Sequence, residues 1–157
     1  MIAGYSVLKH LQGHKMSRNS RVKVSSLPGC TMEDMQDFIK PVLRKKPDEI
    51  ILHVGTNSLR SCHTPQACAD EIIDLATMVS WESPAKIALS SLVCRSDDEA
   101  LASKMAEVNT ILKNCCTQKS WGFVDHSNIP ISNLNCSGLH LNRSGTSRLA
   151  QNFMIYA

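Results

Sequence analysis

Aromatic residues are scarce in this chain, with three Phe, two Trp and two Tyr among 157 residues. A surface that stacks nucleic-acid bases interleaves rings with cations, and no stretch here does so. The formal net charge of +3 is small, and the basic residues are scattered apart from Arg44-Lys45-Lys46, a run suited to a helix C-terminus. Direct nucleic-acid binding is therefore not expected. No apolar run reaches the length of a membrane span and no secretory leader is visible, so an intracellular, cytoplasmic chain without a membrane partner is expected. The seven cysteines are an odd number; none forms a CxxC pair and no Cys/His set has zinc-ligand spacing. Reduced thiols follow, with no metal and no cofactor. Asn135-Cys136-Ser137 and Asn142-Arg143-Ser144 match the glycosylation sequon and read as chance without a leader.

What is present is the balance of a folded domain. Apolar residues make up 43% and charged residues 20%, and the length suffices for one domain with a hydrophobic core. Strand-length apolar runs alternate with segments of helical period. Strands are expected over Met1–Gly4, Arg21–Ser26, Glu49–Val54, Lys86–Leu92 and Gly122–Asp125. Helices are expected near Val7–Gln12, Thr31–Lys45, Pro65–Trp81, Asp97–Lys119 and Ser144–Phe153. The fourth helix is the clearest, with Leu101, Met105, Val108, Ile111, Leu112 and Cys115 on one stripe. Ser96, Asp97, Asp98 and Glu99 suit its start, as Thr31 and Asp34 suit that of the second. Strand–helix alternation repeated five times predicts a parallel sheet with helices on both faces, a three-layer α/β/α domain.

Ligands of such sheets sit beyond the carboxyl ends of the strands, so the residues there matter most. After the first strand stands Gly4-Tyr5-Ser6, after the second Pro28-Gly29-Cys30, after the third Gly55-Thr56-Asn57. His140 follows the fifth, between Leu139 and Leu141; in an extended segment the leucines face the core and His140 faces out. Acyl transfer needs a nucleophile, a base within reach of it, and donors aimed at the developing oxyanion. Ser6 suits the nucleophile at the first turn of the first helix, and its own N–H the first donor. Gly29 could present a second N–H and Asn57 an amide, with His140 as the base. Each also has a plainer reading: Ser6 as an N-cap, Gly29 and Asn57 as turn residues, His140 as a core histidine. Their joint placement at one sheet edge favours a site.

Taken together, GYS, PGCTMEDM, HVGTNSL and SGLHLNRSGTSRLAQNF resemble the blocks of the SGNH (GDSL-type) hydrolase superfamily. The closest resemblance is to the SGNH-like domains of animal non-LTR retrotransposon proteins. It covers Met1 to Ala157 as a single domain and implies a flavodoxin-like five-stranded sheet. It also implies hydrolysis of a small ester or acetylated substrate. Residue by residue, Ser6 falls on the nucleophile, Gly29 and Asn57 on oxyanion donors and His140 on the base. All three family aspartates of these blocks are missing, which marks the copy as degenerate. Tyr5 stands before the serine, where its ring would narrow the pocket or stack on a ligand, and Ser58 stands after Asn57. Ser137 occupies the triad-aspartate position; it can accept a hydrogen bond from the imidazole but brings no charge. Asp125, at the end of the fifth strand, is the candidate substitute for that carboxylate. A slow Ser–His esterase is the expectation, with an inactive binding or assembly module of a mobile-element protein as the alternative. The first strand is short for the family, which predicts a truncated copy or a piece of a longer polypeptide.

Overall fold

A computed structural model describes residues 1–17 and 21–156. Its five strands are β1 (Ile2–Gly4), β2 (Val24–Ser26), β3 (Glu49–His53), β4 (Lys86–Ser90) and β5 (Gly122–Val124). They form one sheet in the order β2-β1-β3-β4-β5, and every pairing is parallel. Parallel neighbours need crossovers: the 3-10 turns Ser6–His10 and Gly13–Lys15 lie between β1 and β2, α1 (Met32–Phe38) and α2 (Lys40–Leu43) between β2 and β3, α3 (Pro65–Glu82) between β3 and β4, and α4 (Glu99–Lys119) between β4 and β5; α5 (Arg143–Tyr156) follows β5. Alternation within β3 builds the layers. Ile50 and Leu52 join the core beneath α1, α3 and α4, whereas Ile51 faces Leu149 and Phe153 of α5. The run Ile50–Val54 is buried throughout because both sheet faces are covered. Among the described residues no helix is long and apolar enough to cross a membrane.

The helix starts follow local chemistry. Thr31 and Asp34 form a complete capping box, Thr31 Oγ1 accepting from the Asp34 amide at 3.1 Å and Asp34 Oδ2 from the Thr31 amide at 2.9 Å. Asp98 caps α4 through the Leu101 amide at 3.0 Å. Four expectations change. The helix expected at Val7–Gln12 is a five-residue 3-10 turn, Ser6–His10. The segment Thr31–Lys45 breaks at Ile39, because Pro41 has no N–H to continue the ladder. Of Arg21–Ser26 only Val24–Ser26 pairs as a strand, at the sheet edge beside the three residues of β1. On α4, Cys116 rather than Cys115 is in the core.

A chain of buried polar side chains crosses the face under α5. His53 Nδ1 lies 2.7 Å from Ser90 Oγ, which lies 2.7 Å from His126 Nε2. Asn152 Nδ2 of α5 donates to His126 Nδ1 at 3.0 Å and exchanges two further bonds with Asn128. That donation makes His126 Nδ1 the acceptor, so in neutral imidazole Nε2 carries the proton and donates to Ser90. The Ser90 hydroxyl then donates to His53 Nδ1, leaving the proton of His53 on Nε2. That atom is buried and has no hydrogen-bond partner among the described residues. Phe153 packs edge-on against both rings.

Burial, with His126 nearby, lowers the pKa of His53 to about 3; burial lowers that of His126 to about 4 against a small opposing effect of Asp125. The unfolded imidazoles titrate at about 6.5. As pH falls through that value the unfolded chain takes up protons that the folded rings refuse, so stability declines toward pH 4. Thermal melts are expected to shift downward between pH 7 and 4.5, and His53→Gln to flatten that dependence; parallel curves for the two proteins would refute burial of His53 as a cause. Thr31→Ala is expected to cost about 1 kcal/mol in urea unfolding.

Candidate active site

The register of the sheet brings three loops together. Gly4 is level with Ser26 on one side and with His53 on the other, so β1, β2 and β3 end side by side at about 4.8 Å spacing. The loop after β1 is therefore flanked by the other two. Leu27 N donates to Gly4 O at 2.8 Å, Ser26 Oγ to Tyr5 O at 3.2 Å and Tyr5 N to His53 O at 3.3 Å. Asn57 Nδ2 donates to Cys30 O at 3.0 Å, tying the loop after β3 to that after β2. Ser6, Gly29 and Asn57 thus follow three adjacent strands on one rim, Ser6 after the middle one.

Neither the Ser6 nor the Gly29 amide donates to another described residue. Gly29 has φ +78, a conformation that favours glycine, and a Cβ added there would meet nothing within 4 Å. One Asn57 amide hydrogen is engaged by Cys30 O, and the side chain is otherwise exposed. The helix expected behind Ser6 has shrunk to a short 3-10 turn, which leaves little macrodipole there. Tyr5 corrects a second expectation. It neither narrows a pocket nor stacks on a ligand, being 2% exposed with its hydroxyl donating to Met32 Sδ at 3.0 Å. Strand alternation sends its side chain to the α1 face, and burial pushes its phenol pKa up. Ser58 is buried within the turn after Asn57, its amide donating to Gly55 O.

His140 arrives by a different route. α5 runs back along the sheet: Asn152 meets His126 just past β5, and Tyr156 Oη donates to Glu49 at the start of β3. Its N-terminal end therefore projects past the carboxyl rim. Asn142 fixes that end, its Oδ1 accepting from the Gly145 amide at 2.9 Å and its Nδ2 donating to Ser132 O and Leu134 O. Leu141 pairs with Leu134 and packs into the core under α5, while His140 is exposed. The alternation expected of Leu141 and His140 is present. The segments downstream of the two residues face each other across a cleft of about 630 Å³, lined by Leu11, Met16, Asn142 and Thr146 among others; neither Ser6 nor His140 lines it.

The structure brings Ser6, Gly29 and Asn57 together and carries His140 to the same edge. It draws no hydrogen bond between Ser6 and His140 among the described residues. The two candidate orienting groups point elsewhere. Ser137 Oγ donates to Asn135 Oδ1 at 2.5 Å and accepts from the Leu139 amide at 3.4 Å. Asp125 Oδ1 accepts from the Ser127 amide at 2.8 Å, which holds its carboxyl below the ordinary range. The His53–Ser90–His126 chain escaped the sequence reading. Its signal was a polar letter at the end of two apolar strands whose register makes them neighbours: His53 follows Leu52, and Ser90 follows the paired Leu89.

No family model matches the sequence, and no curated protein matches it. Solved structures do. A putative acylhydrolase from Bacteroides fragilis superposes with a TM-score of 0.81 at 15% identity, over 98% of this chain and 83% of that one. A member of the lipolytic G-D-S-L family from Veillonella parvula gives 0.79 at 15% identity, over 98% and 94%. An acetylxylan esterase from Geobacillus stearothermophilus, a catalytic mutant, gives 0.78 at 12% identity, over 99% and 91%. At these identities the likeness is one of fold: an all-parallel five-stranded sheet between helices, the α/β/α fold of the SGNH hydrolases.

Proposed function

We propose that this chain is an SGNH-like serine ester hydrolase acting on carboxyl or acetyl esters, slow because its triad carboxylate has been lost. One observation supports the reading: Ser6 follows β1, whose two neighbours β2 and β3 lead to Gly29 and Asn57, and neither the Ser6 nor the Gly29 amide donates to another described residue. An ester carbonyl oxygen lying among these donors becomes an oxyanion when Ser6 Oγ attacks the carbonyl carbon. The hydroxyl proton passes to His140, which returns it to the departing alkoxide. Water then attacks the acyl-serine, giving the acid and free Ser6. Ser6 and His140 tighten into hydrogen-bond reach only with substrate bound, as catalytic pairs often do. The names of the structural neighbours, lipase/acylhydrolase and acetylxylan esterase, agree with an ester substrate. On this reading the chain is kin to the SGNH-like domains of animal non-LTR retrotransposon proteins.

The missing carboxylate sets the expected rate. Replacing the triad Asp by Asn in a serine protease lowers kcat about 10⁴-fold, which is about 5 kcal/mol of barrier. Here Ser137 is turned to Asn135 and Asp125 to Ser127, so neither orients the His140 ring. That observation also favours a second reading, in which the same scaffold is a non-catalytic binding or assembly module.

A serine-directed fluorophosphonate probe separates the two. The native chain is expected to label slowly, Ser6→Ala not at all, and His140→Ala at least about tenfold more slowly than native. Ser137→Asp, which restores a carboxylate three residues before His140, is expected to raise the labelling rate about tenfold or more. A folded native chain that takes up no probe would leave the module reading.

A further inference from the structure

No hydrogen bond or ion pair joins the turn that carries Asn57 directly to the turn that carries His140 among the described residues. Both are held by the connection between β4 and α4. On the Asn57 side, Arg60 reaches Asp97 Oδ2 at 3.4 Å, and Lys104 of α4 donates from Nζ to Leu59 O at 2.9 Å and to Cys62 O. On the His140 side, the Ser96 amide donates to Gly138 O at 2.8 Å. Gly138 has φ +68, and a Cβ there would lie 2.7 Å from Ser96 Oγ and 2.9 Å from the Asp97 amide nitrogen. The turn is closed onto its base by the Asn135 amide, which donates to His140 O at 2.7 Å.

The carboxylate at the centre is held firmly. Arg95 grips it with two bonds, Nε to Oδ1 at 2.8 Å and Nη2 to Oδ2 at 2.6 Å, and the Arg95 side chain is only 3% exposed. A bidentate pair of this kind fixes direction as well as distance. Arg60 is 67% exposed, and an exposed ion pair alone contributes little to stability. Its contribution is registry: it locks the Asn57 turn to a carboxylate that Arg95 has already immobilised.

We propose that Asp97 is a positioning residue, whose bridge between Arg60 and Arg95 sets the separation of the Asn57 turn from the His140 turn. The kinetic part of this rests on the esterase reading; the structural part does not. Removing the bridge leaves the Asn57 turn tethered to α4 through Lys104 but loosens its registry with the His140 turn while the sheet beneath stays folded, and misplacement by ~1 Å can cost a catalytic constellation up to about a hundredfold in rate.

The test pairs amide hydrogen exchange with turnover of p-nitrophenyl acetate by the full chain. In Asp97→Asn, exchange at Ser96 and Asn135 is expected to rise about tenfold while Ile51 and Leu89 in the sheet stay protected. In the same variant kcat is expected to fall about tenfold with KM unchanged, and Asp97→Glu to recover part of it. Arg60→Gln, which leaves Arg95 and Asp97 paired, is expected to raise exchange at Ser58 and Cys62 about threefold, and it carries the test should Asp97→Asn unfold. Native-like exchange at these amides in the folded variants would overturn the proposal. So would an unchanged kcat for folded Asp97→Asn in a protein whose turnover depends on Ser6. If the native chain shows no Ser6-dependent turnover, the esterase reading fails, and the exchange data still decide whether Asp97 holds the two turns.

Discussion

Three residues set the geometry on which everything else rests. Ile2, Ala3 and Gly4 pair with β2 on one side and β3 on the other, and all three are buried. The ladder continues one residue earlier, since the Ile51 amide donates to Met1 O at 2.9 Å. At the far end Gly4 leaves no room for a side chain, because a Cβ there would run into the His53 carbonyl. That close approach lets β1 and β3 finish level. Had Gly4 carried a side chain, the strands would splay where the loops bearing Ser6 and Asn57 begin. A strand of three residues, short by the usual measure, suffices because it is paired along both edges.

The fold was legible because its signals were redundant. All five strands and four of the five helices occupy the segments that periodicity marked, and the order of elements dictates a parallel sheet. Where the reading failed, one local term outweighed the pattern. Pro41 interrupts a segment whose apolar spacing continues through it. Val7–Gln12 has helical spacing but forms only a 3-10 turn, so Leu8 and Leu11 reach the core from that turn and the residue after it. Cys116 replaces Cys115 in the core because the helix phase is set by Val108 and Leu112, four residues apart. Two adjacent apolar letters do not reveal that phase.

The candidate site was legible in part, for a different reason. Ser6, Gly29 and Asn57 follow strands directly, so naming the strands was enough to place them on one rim. His140 lies well beyond β5, past a 3-10 turn and within the hairpin-like segment closed by the Leu134–Leu141 bridge, and no local rule fixes where such a segment lands. Tyr5 was misread because its position next to Ser6 in the chain implied nearness in space. Alternation sends neighbours to opposite faces, and this one goes under α1. Likewise Ser137 and Asp125 were judged by position, whereas each is engaged by a backbone amide or amide side chain within two residues.

The register that brings Ser6 to the rim also explains how the His140 ring, with no side-chain hydrogen bond of its own among the described residues, is placed. Across β3, β4 and β5 the same strand ends carry His53, Ser90 and His126, and α5 covers them. Asn152 is the member of that buried chain which belongs to α5. Its bond to His126 fixes the helix against the sheet, in an environment where an unmade polar contact costs about 1–3 kcal/mol. The helix then holds Asn142, two residues after His140, and the loop from Arg95 to Asp97 holds Gly138, two residues before it. His140 is bracketed on both sides by polar contacts, those of Asn142 after it and the Ser96–Gly138 bond before it. The ring itself is left exposed at the rim. Its location is a property of the sheet and its loops, whereas no side-chain hydrogen bond among the described residues fixes its orientation.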